Sequence, residues 1–123
     1  MKQFILTLFI LFGITACSKY GPEQVKGWEK INQGALLIDV RSKEEFNGAH
    51  LENAINIDYE NINKISQAIG PDKHRSVVLY CRSGRRASVA LAELNKMGYD
   101  NIYNAQALTK MQAALAEKDN LDK

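Results

Sequence analysis

Cys81 closes an apolar run, Val77-Val78-Leu79-Tyr80, and is followed at once by Arg82-Ser83-Gly84-Arg85-Arg86. A strand that stops at a thiol, turns through a glycine and opens a helix aims backbone N–H groups and the positive helix end at one point. Anions and thiolates are stabilised there, so the spacing predicts an ionised, nucleophilic sulfur. An isolated cysteine is more commonly a small buried hydrophobe. Three arginines packed into residues 82–86 oppose that reading, because they cannot all be buried without partners and a short polar turn does not need them.

The elements that must hold this loop follow from periodicity. Val25, Trp28 and Ile31 lie three residues apart with Gly34 beyond them, which predicts a helix over 23–32 in which Trp28 plugs the core. Residues 35–40 form an apolar run broken only by Asp39, the pattern of a strand buried on both faces in a parallel sheet. Ser42 with Glu45 has the spacing of a capping box and predicts a short helix. A second strand is expected over 54–57, a helix over 61–69 stopped by Gly70-Pro71, and a third strand over 76–81. Ala87, Ala90, Leu91, Leu94 and Met97 share one face of a helix over 87–97 with Gly98 at its stop. A last short strand at 101–103 precedes a helix striped by Ala107, Leu108, Met111, Ala114 and Leu115, and a polar, frayed tail is expected over 117–123.

Strands alternating with helices in this way predict a three-layer α/β fold. Its sheet is mostly parallel, of four to five strands, with right-handed crossovers and helices on both faces. Such sheets bind ligands outside the carboxyl ends of their strands. Both Cys81 and the segment Asp39-Val40-Arg41 fall at such ends.

At 123 residues the chain has room for one domain, expected over 23–116. Residues 1–16 read as an export signal: Lys2 gives a positive start, an apolar stretch follows, and small residues precede Cys17. As a helix this stretch would reach about 21 Å, against a hydrocarbon core of about 30 Å. Ile14-Thr15-Ala16-Cys17 resembles the lipobox of bacterial lipoproteins. That resemblance implies cleavage before Cys17, lipid on its sulfur, and a tether over 17–22 holding the domain at a bilayer surface. The alternative is an ordinary secretory cleavage site with a free Cys17. Ser18, where inner-membrane lipoproteins tend to carry Asp, points to the periplasmic face of the outer membrane.

The chain carries 16 basic and 14 acidic residues, and removing 1–16 takes away Lys2 and no acid, so the mature domain is nearly neutral. It has no basic stripe interleaved with aromatics, and nucleic acid is not an expected partner. With two histidines far apart and one available thiol, neither a metal nor a cofactor is expected, and Cys81 lacks a disulfide partner once Cys17 is lipidated. A lone thiol in an oxidising compartment is a liability unless it has work to do.

Five motifs now stand in order: Leu37-Ile38-Asp39-Val40-Arg41, Glu45-Phe46, His50, Ala54-Ile55-Asn56-Ile57, and Val78-Leu79-Tyr80-Cys81-Arg82-Ser83-Gly84-Arg85-Arg86-Ala87. From about residue 35 to 103 the chain resembles the rhodanese-like domain family, in particular its small single-domain periplasmic sulfurtransferases. The resemblance implies that Cys81 attacks the outer sulfur of thiosulfate, that sulfite leaves, and that a cysteine persulfide passes its sulfur to cyanide or a thiol. Arg82, Ser83, Gly84, Arg85 and Arg86 would then bind a small anionic donor, the partners being that donor and a thiophilic acceptor, with the protein a monomer. Asp39 and Arg41 match positions that brace the loop, the alternative being a solvated ion pair at the strand end. His50 matches a structural position fixing the turn before residue 54, and His74 reads as a surface residue.

Two features depart from the family pattern. Only residues 18–22 precede the first helix, so the family's first strand is reduced to a vestigial edge. In place of a Gly-Gly pair and a Trp after the last strand stands Gln106-Ala107-Leu108, which changes the rim of the pocket and leaves acceptor choice open. A cysteine phosphatase or arsenate reductase would follow a Cys-x5-Arg pattern, but Ala87 occupies the sixth place. The shorter loop encloses room for one sulfur rather than a tetrahedral phosphate. A non-catalytic persulfide carrier serving one partner protein is the other alternative; the loop arginines favour turnover.

Overall fold

The computed structural model describes residues 19–121; residues 1–16, read from the sequence as an export signal, and Cys17 lie outside the described residues. In chain order the elements are α1 (Pro22–Asn32), β1 (Leu36–Asp39), α2 (Lys43–Gly48), β2 (Ile55–Asn56), α3 (Ile62–Ile69), β3 (Val77–Cys81), α4 (Arg85–Lys96), β4 (Ile102–Ala107) and α5 (Leu108–Leu121). The strands form one sheet in the order β2-β1-β3-β4, and all pairings are parallel. The expected three-layer α/β architecture is therefore present, with four strands among the described residues.

All of β3 is buried, and its side chains alternate between two cores. Val77, Leu79 and Cys81 join Ile38, Val40, Ile65, Ala87, Ala90 and Leu94 beneath α3 and α4. Val78 and Tyr80 join Leu37, Leu51, Ala105 and Met111 beneath α1 and α5. A strand covered on both faces has no polar side, which is why these runs read as continuous apolar segments. At Ser42 both halves of the capping box form: Oγ accepts from the Glu45 N–H at 3.2 Å, and Glu45 Oε1 accepts from the Ser42 N–H at 3.0 Å.

Three expectations need correction. The buried face of α1 centres on Gln24 and Gly27, with Val25 turned out to 45% exposure. Gln24 Nε2 donates to the Ala105 carbonyl at 2.8 Å, and a Cβ on Gly27 would lie 3.0 Å from that of Ala105, so the helix seats closely on β4 through a polar and a small residue. Trp28 does plug that interface, its Nε1–H donating to the Met111 carbonyl at 2.8 Å. Strand β4 runs on to Ala107 instead of stopping at residue 103, and it carries Ala107 that the apolar stripe had assigned to the helix. The tail expected from residue 117 is helical through Leu121.

The two histidines are structural. His50 Nδ1–H donates to the Phe46 carbonyl at 2.8 Å and its ring stacks on Phe46 at 3.7 Å, closing the turn after α2. His74 sits at the surface with Nδ1 2.8 Å from the Asp100 carboxylate, whose hydrogen bond and charge raise its pKa.

Candidate active site

Cys81 is the last residue of β3, and Gly84 is the N-cap from which α4 starts. The chain reverses between them because Gly84 adopts φ +102°, a left-handed conformation that an L side chain resists. The close approach of Gln106 excludes a side chain as well: a Cβ at residue 84 would meet Gln106 Cα, Cβ and Cγ at 3.2–3.3 Å. This turn points the Gly84 N–H at Cys81 Sγ, 2.9 Å away. Sequence reasoning expects several amides around the sulfur; among the described residues this one reaches it. Cys81 is 0% exposed and sits under its own loop at the positive end of α4. A donor and a helix terminus together stabilise negative charge on that atom.

The three loop arginines differ. Arg82 and Arg85 are exposed, and neither has a side-chain hydrogen bond or ion pair among the described residues. Arg86 is already engaged: its Nη1 and Nη2 donate to Glu45 Oε1 and Oε2 at 2.7 and 3.0 Å, a forked pair between α4 and α2. This bond raises the pKa of Arg86, and the nearby Cys81 sulfur adds to the effect. Ser83 is exposed at the crest of the loop. The sequence motif groups the three guanidinium groups as equivalent, whereas the fold leaves two available to an anion and ties the third to α2.

Glu45 consequently serves the helix cap and the loop together. Arg86 first, then the Ser42 N–H, pull its pKa from the ordinary value of 4.5 to about 2. A carboxylate with a depressed folded-state pKa adds stability above its unfolded value and loses it as pH falls through the folded one. Glu45→Gln keeps the capping carbonyl but loses the ion pair. We expect the variant to be less stable than the parent at pH 7 in urea unfolding, and the gap to close between pH 4.5 and about 2. A gap that persists undiminished at the acid end contradicts the assignment.

Asp39 and Arg41 pair at 2.6 Å with side chains 0% and 6% exposed, so the solvated-pair alternative does not hold. Asp39 Oδ1 also accepts the Arg41 N–H at 2.9 Å. Arg41 Nη2 donates to the Ala49 carbonyl at 2.6 Å, and its guanidinium lies 5.8 Å from the centre of the Tyr80 ring. The Tyr80 hydroxyl accepts the Leu51 N–H at 3.0 Å. Burial first, then the Asp39 carboxylate, push the Tyr80 phenol above its ordinary pKa and keep it neutral. Among the described residues no hydrogen bond from Asp39 or Arg41 reaches 82–86; the pair connects with the loop through Tyr80, the neighbour of Cys81.

Sequence reasoning missed Asn104. Its Nδ2 donates to the Gly84 carbonyl at 3.0 Å and its Oδ1 accepts the Gln106 N–H at 2.8 Å. Ending the last strand at residue 103 leaves Asn104 in a connection, and an isolated Asn in a polar stretch gives no periodic signal. A groove of about 920 Å³ between α2 and α3, lined by residues including Phe46, Asp58, Asn61 and Lys64, does not include Cys81.

Comparison with known proteins agrees with this geometry. The family model of the rhodanese-like domain matches residues 23–107. The thiosulfate sulfurtransferase PspE of Escherichia coli K12 is 37% identical over 58% of this chain and 68% of its own length. Protein HIGH ARSENIC CONTENT 1, a mitochondrial protein of Arabidopsis thaliana, is 32% identical, with 60% of this chain covering 50% of that protein. Among solved structures, a rhodanese with anions from E. coli matches with a TM-score of 0.58 at 36% identity, over 63% of this chain and 91% of the other. The family match takes in all four strands and the whole loop from Cys81 to Arg86, and the chain belongs to the rhodanese-like domain family.

Proposed function

We propose that this protein is a sulfurtransferase that carries sulfane sulfur on Cys81, taking it from thiosulfate or a similar small anionic donor and passing it to cyanide or a thiol. The Gly84 N–H aimed at Sγ from the start of α4 carries the reading, because a persulfide cycle keeps negative charge on sulfur throughout. In the first half the Cys81 thiolate attacks the outer sulfur of thiosulfate. A new S–S bond forms to Sγ, the donor's own S–S bond breaks, and its electron pair leaves with sulfite. In the second half the acceptor attacks the terminal sulfur, and the electron pair of the Cys81 persulfide bond returns to Sγ. No oxidant or reductant enters, and the charges on the two sides of each step match.

Arg82 and Arg85 attract the dianion and hold its sulfonate as forked donors, while Arg86, its charge balanced by Glu45, ties the start of α4 to α2. The names of the relatives support the sulfur chemistry, one being a thiosulfate sulfurtransferase and another a rhodanese with anions. The test is intact mass after exposure to thiosulfate: one added sulfur, removed by a reductant and mapped to Cys81, is expected, followed by continuous thiocyanate production when cyanide is present. A sulfur that never loads overturns the reading, and one that loads once without turnover converts the protein into a dedicated carrier.

The lipobox supports a further part of this reading, that lipid on Cys17 holds the domain at the periplasmic face of the outer membrane. Protein extracted from membranes then carries an acyl mass increment on Cys17, and Cys17→Ser moves it to the soluble fraction. An unmodified Cys17 in the native protein removes this part alone.

A further inference from the structure

We propose that Asn104 is a positioning residue for the sulfur chemistry: its carboxamide clamps the Gly84 turn against the bulged end of β4 and thereby fixes the N–H that donates to Cys81 Sγ. The inference rests on the reading of Cys81 as the sulfur-carrying nucleophile. Between β3 and β4 the register slips, Leu79 opposing Asn104 while Cys81 opposes Ala107, so β4 spends one extra residue beside the nucleophile. A bulge bends its strand and re-aims a side chain, and bulges gather next to active sites. This one turns the Asn104 side chain onto the Gly84 carbonyl, which also accepts the Ser88 N–H at 2.9 Å as the first helical bond of α4.

Both ends of the carboxamide are used. The Gly84 carbonyl can only accept and the Gln106 N–H can only donate, so these two partners fix which end of the amide faces which. Aspartate lacks the donor and alanine lacks both groups. Gln106 stands at φ +77°, a conformation non-glycine residues rarely take, and its Cα, Cβ and Cγ form the wall against which Gly84 rests. Asn104 therefore pulls on the carbonyl side of Gly84 while Gln106 backs its α-carbon. The amide aimed at the sulfur has little freedom to swing away.

The test combines Asn104→Ala with the Gly84 amide resonance and steady-state kinetics with thiosulfate. The Gly84 amide proton is expected to move upfield as its bond to sulfur loosens. Turnover is expected to fall by about tenfold to a hundredfold, the scale set by small misplacements at a reacting centre. KM for thiosulfate should stay within about twofold, because the exposed arginines that capture the dianion are untouched. A variant that merely loosens the fold would lower its melting temperature without this split. Should the alanine variant fail to fold, Asn104→Asp has the same shape, sets an oxygen against the Gly84 carbonyl, and is expected to show the same changes. An unmoved Gly84 resonance, or an unchanged kcat in an enzyme that turns over, overturns the proposal. Wild-type protein that takes no sulfur from thiosulfate brings down the sulfurtransferase reading instead, and the resonance still decides whether the clamp exists.

Discussion

Cys81→Ser is expected to lower turnover with thiosulfate by at least about a thousandfold and to abolish the sulfur adduct, with the fold retained. Serine fits the same space, and its Oγ still accepts the Gly84 N–H that reaches Sγ at 2.9 Å, so that buried donor is not stranded. The cost in stability is about 1 kcal/mol, the scale of exchanging one satisfied polar contact for another. What disappears is a polarisable sulfur nucleophile whose bond to a second sulfur can be formed and broken again. Thiocyanate production measures the first effect, intact mass the second, and thermal unfolding the third. Residual turnover above about one per cent would place the nucleophile elsewhere. Arginine substitutions have smaller consequences: Arg82 and Arg85 are exposed, their attraction for the donor is screened by water and salt, and they act on capture rather than on bond formation.

The difference between these two kinds of residue also explains what could be read from the chain. The Cys81 loop was legible because a wholly apolar strand, a glycine and a strongly periodic helix stand next to one another in sequence, and each is a local signal. The Ser42 and Glu45 cap was legible for the same reason. Local signals do not report what crosses the fold. The bond from Glu45 to Arg86 joins two helices far apart in sequence, and nothing near either residue announces it. The face of α1 was misplaced because its contacts are made by Gln24 and Gly27, a satisfied amide and a missing side chain, neither of which a hydrophobic stripe records. Asn104 and Gln106 interrupt the apolar pattern of β4 because both face the Gly84 turn while Ala105 between them enters the core, so the strand's length and Asn104 were hidden by the same cause. The Asp39 and Arg41 pair lay between these cases. Alternation along a strand sets both on one face, but only the packed layers of Tyr80 and residues 49–51 make the pair a buried one.

That burial makes Asp39→Ala the most destabilising single change expected outside the loop. Asp39 accepts from Arg41 Nε, Nη2 and backbone N–H, and removing it leaves a guanidinium in the interior with the Ala49 carbonyl as its remaining acceptor. An unpaired buried charge of this kind costs about 3–5 kcal/mol. For a domain of this size that corresponds to a fall in melting temperature of roughly 12–40 °C. Removing both charges in Asp39→Leu/Arg41→Met is expected to cost less: both variants strand the residue-41 N–H, but the double one exchanges the stranded guanidinium for an unsatisfied Ala49 carbonyl, worth about 1–3 kcal/mol. Calorimetry on the two variants therefore separates a stranded charge from a lost contact: a double variant more damaged than the single one contradicts the argument. Kinetics add the functional half. The pair's bonds run to Ala49 and sit beside Tyr80, not to 82–86, so Asp39→Ala studied below its melting temperature should keep kcat within about threefold of the parent. A collapse of kcat in folded Asp39→Ala, as deep as that of Cys81→Ser, would instead make this pair part of the loop's machinery, with Tyr80 as the link that carries it.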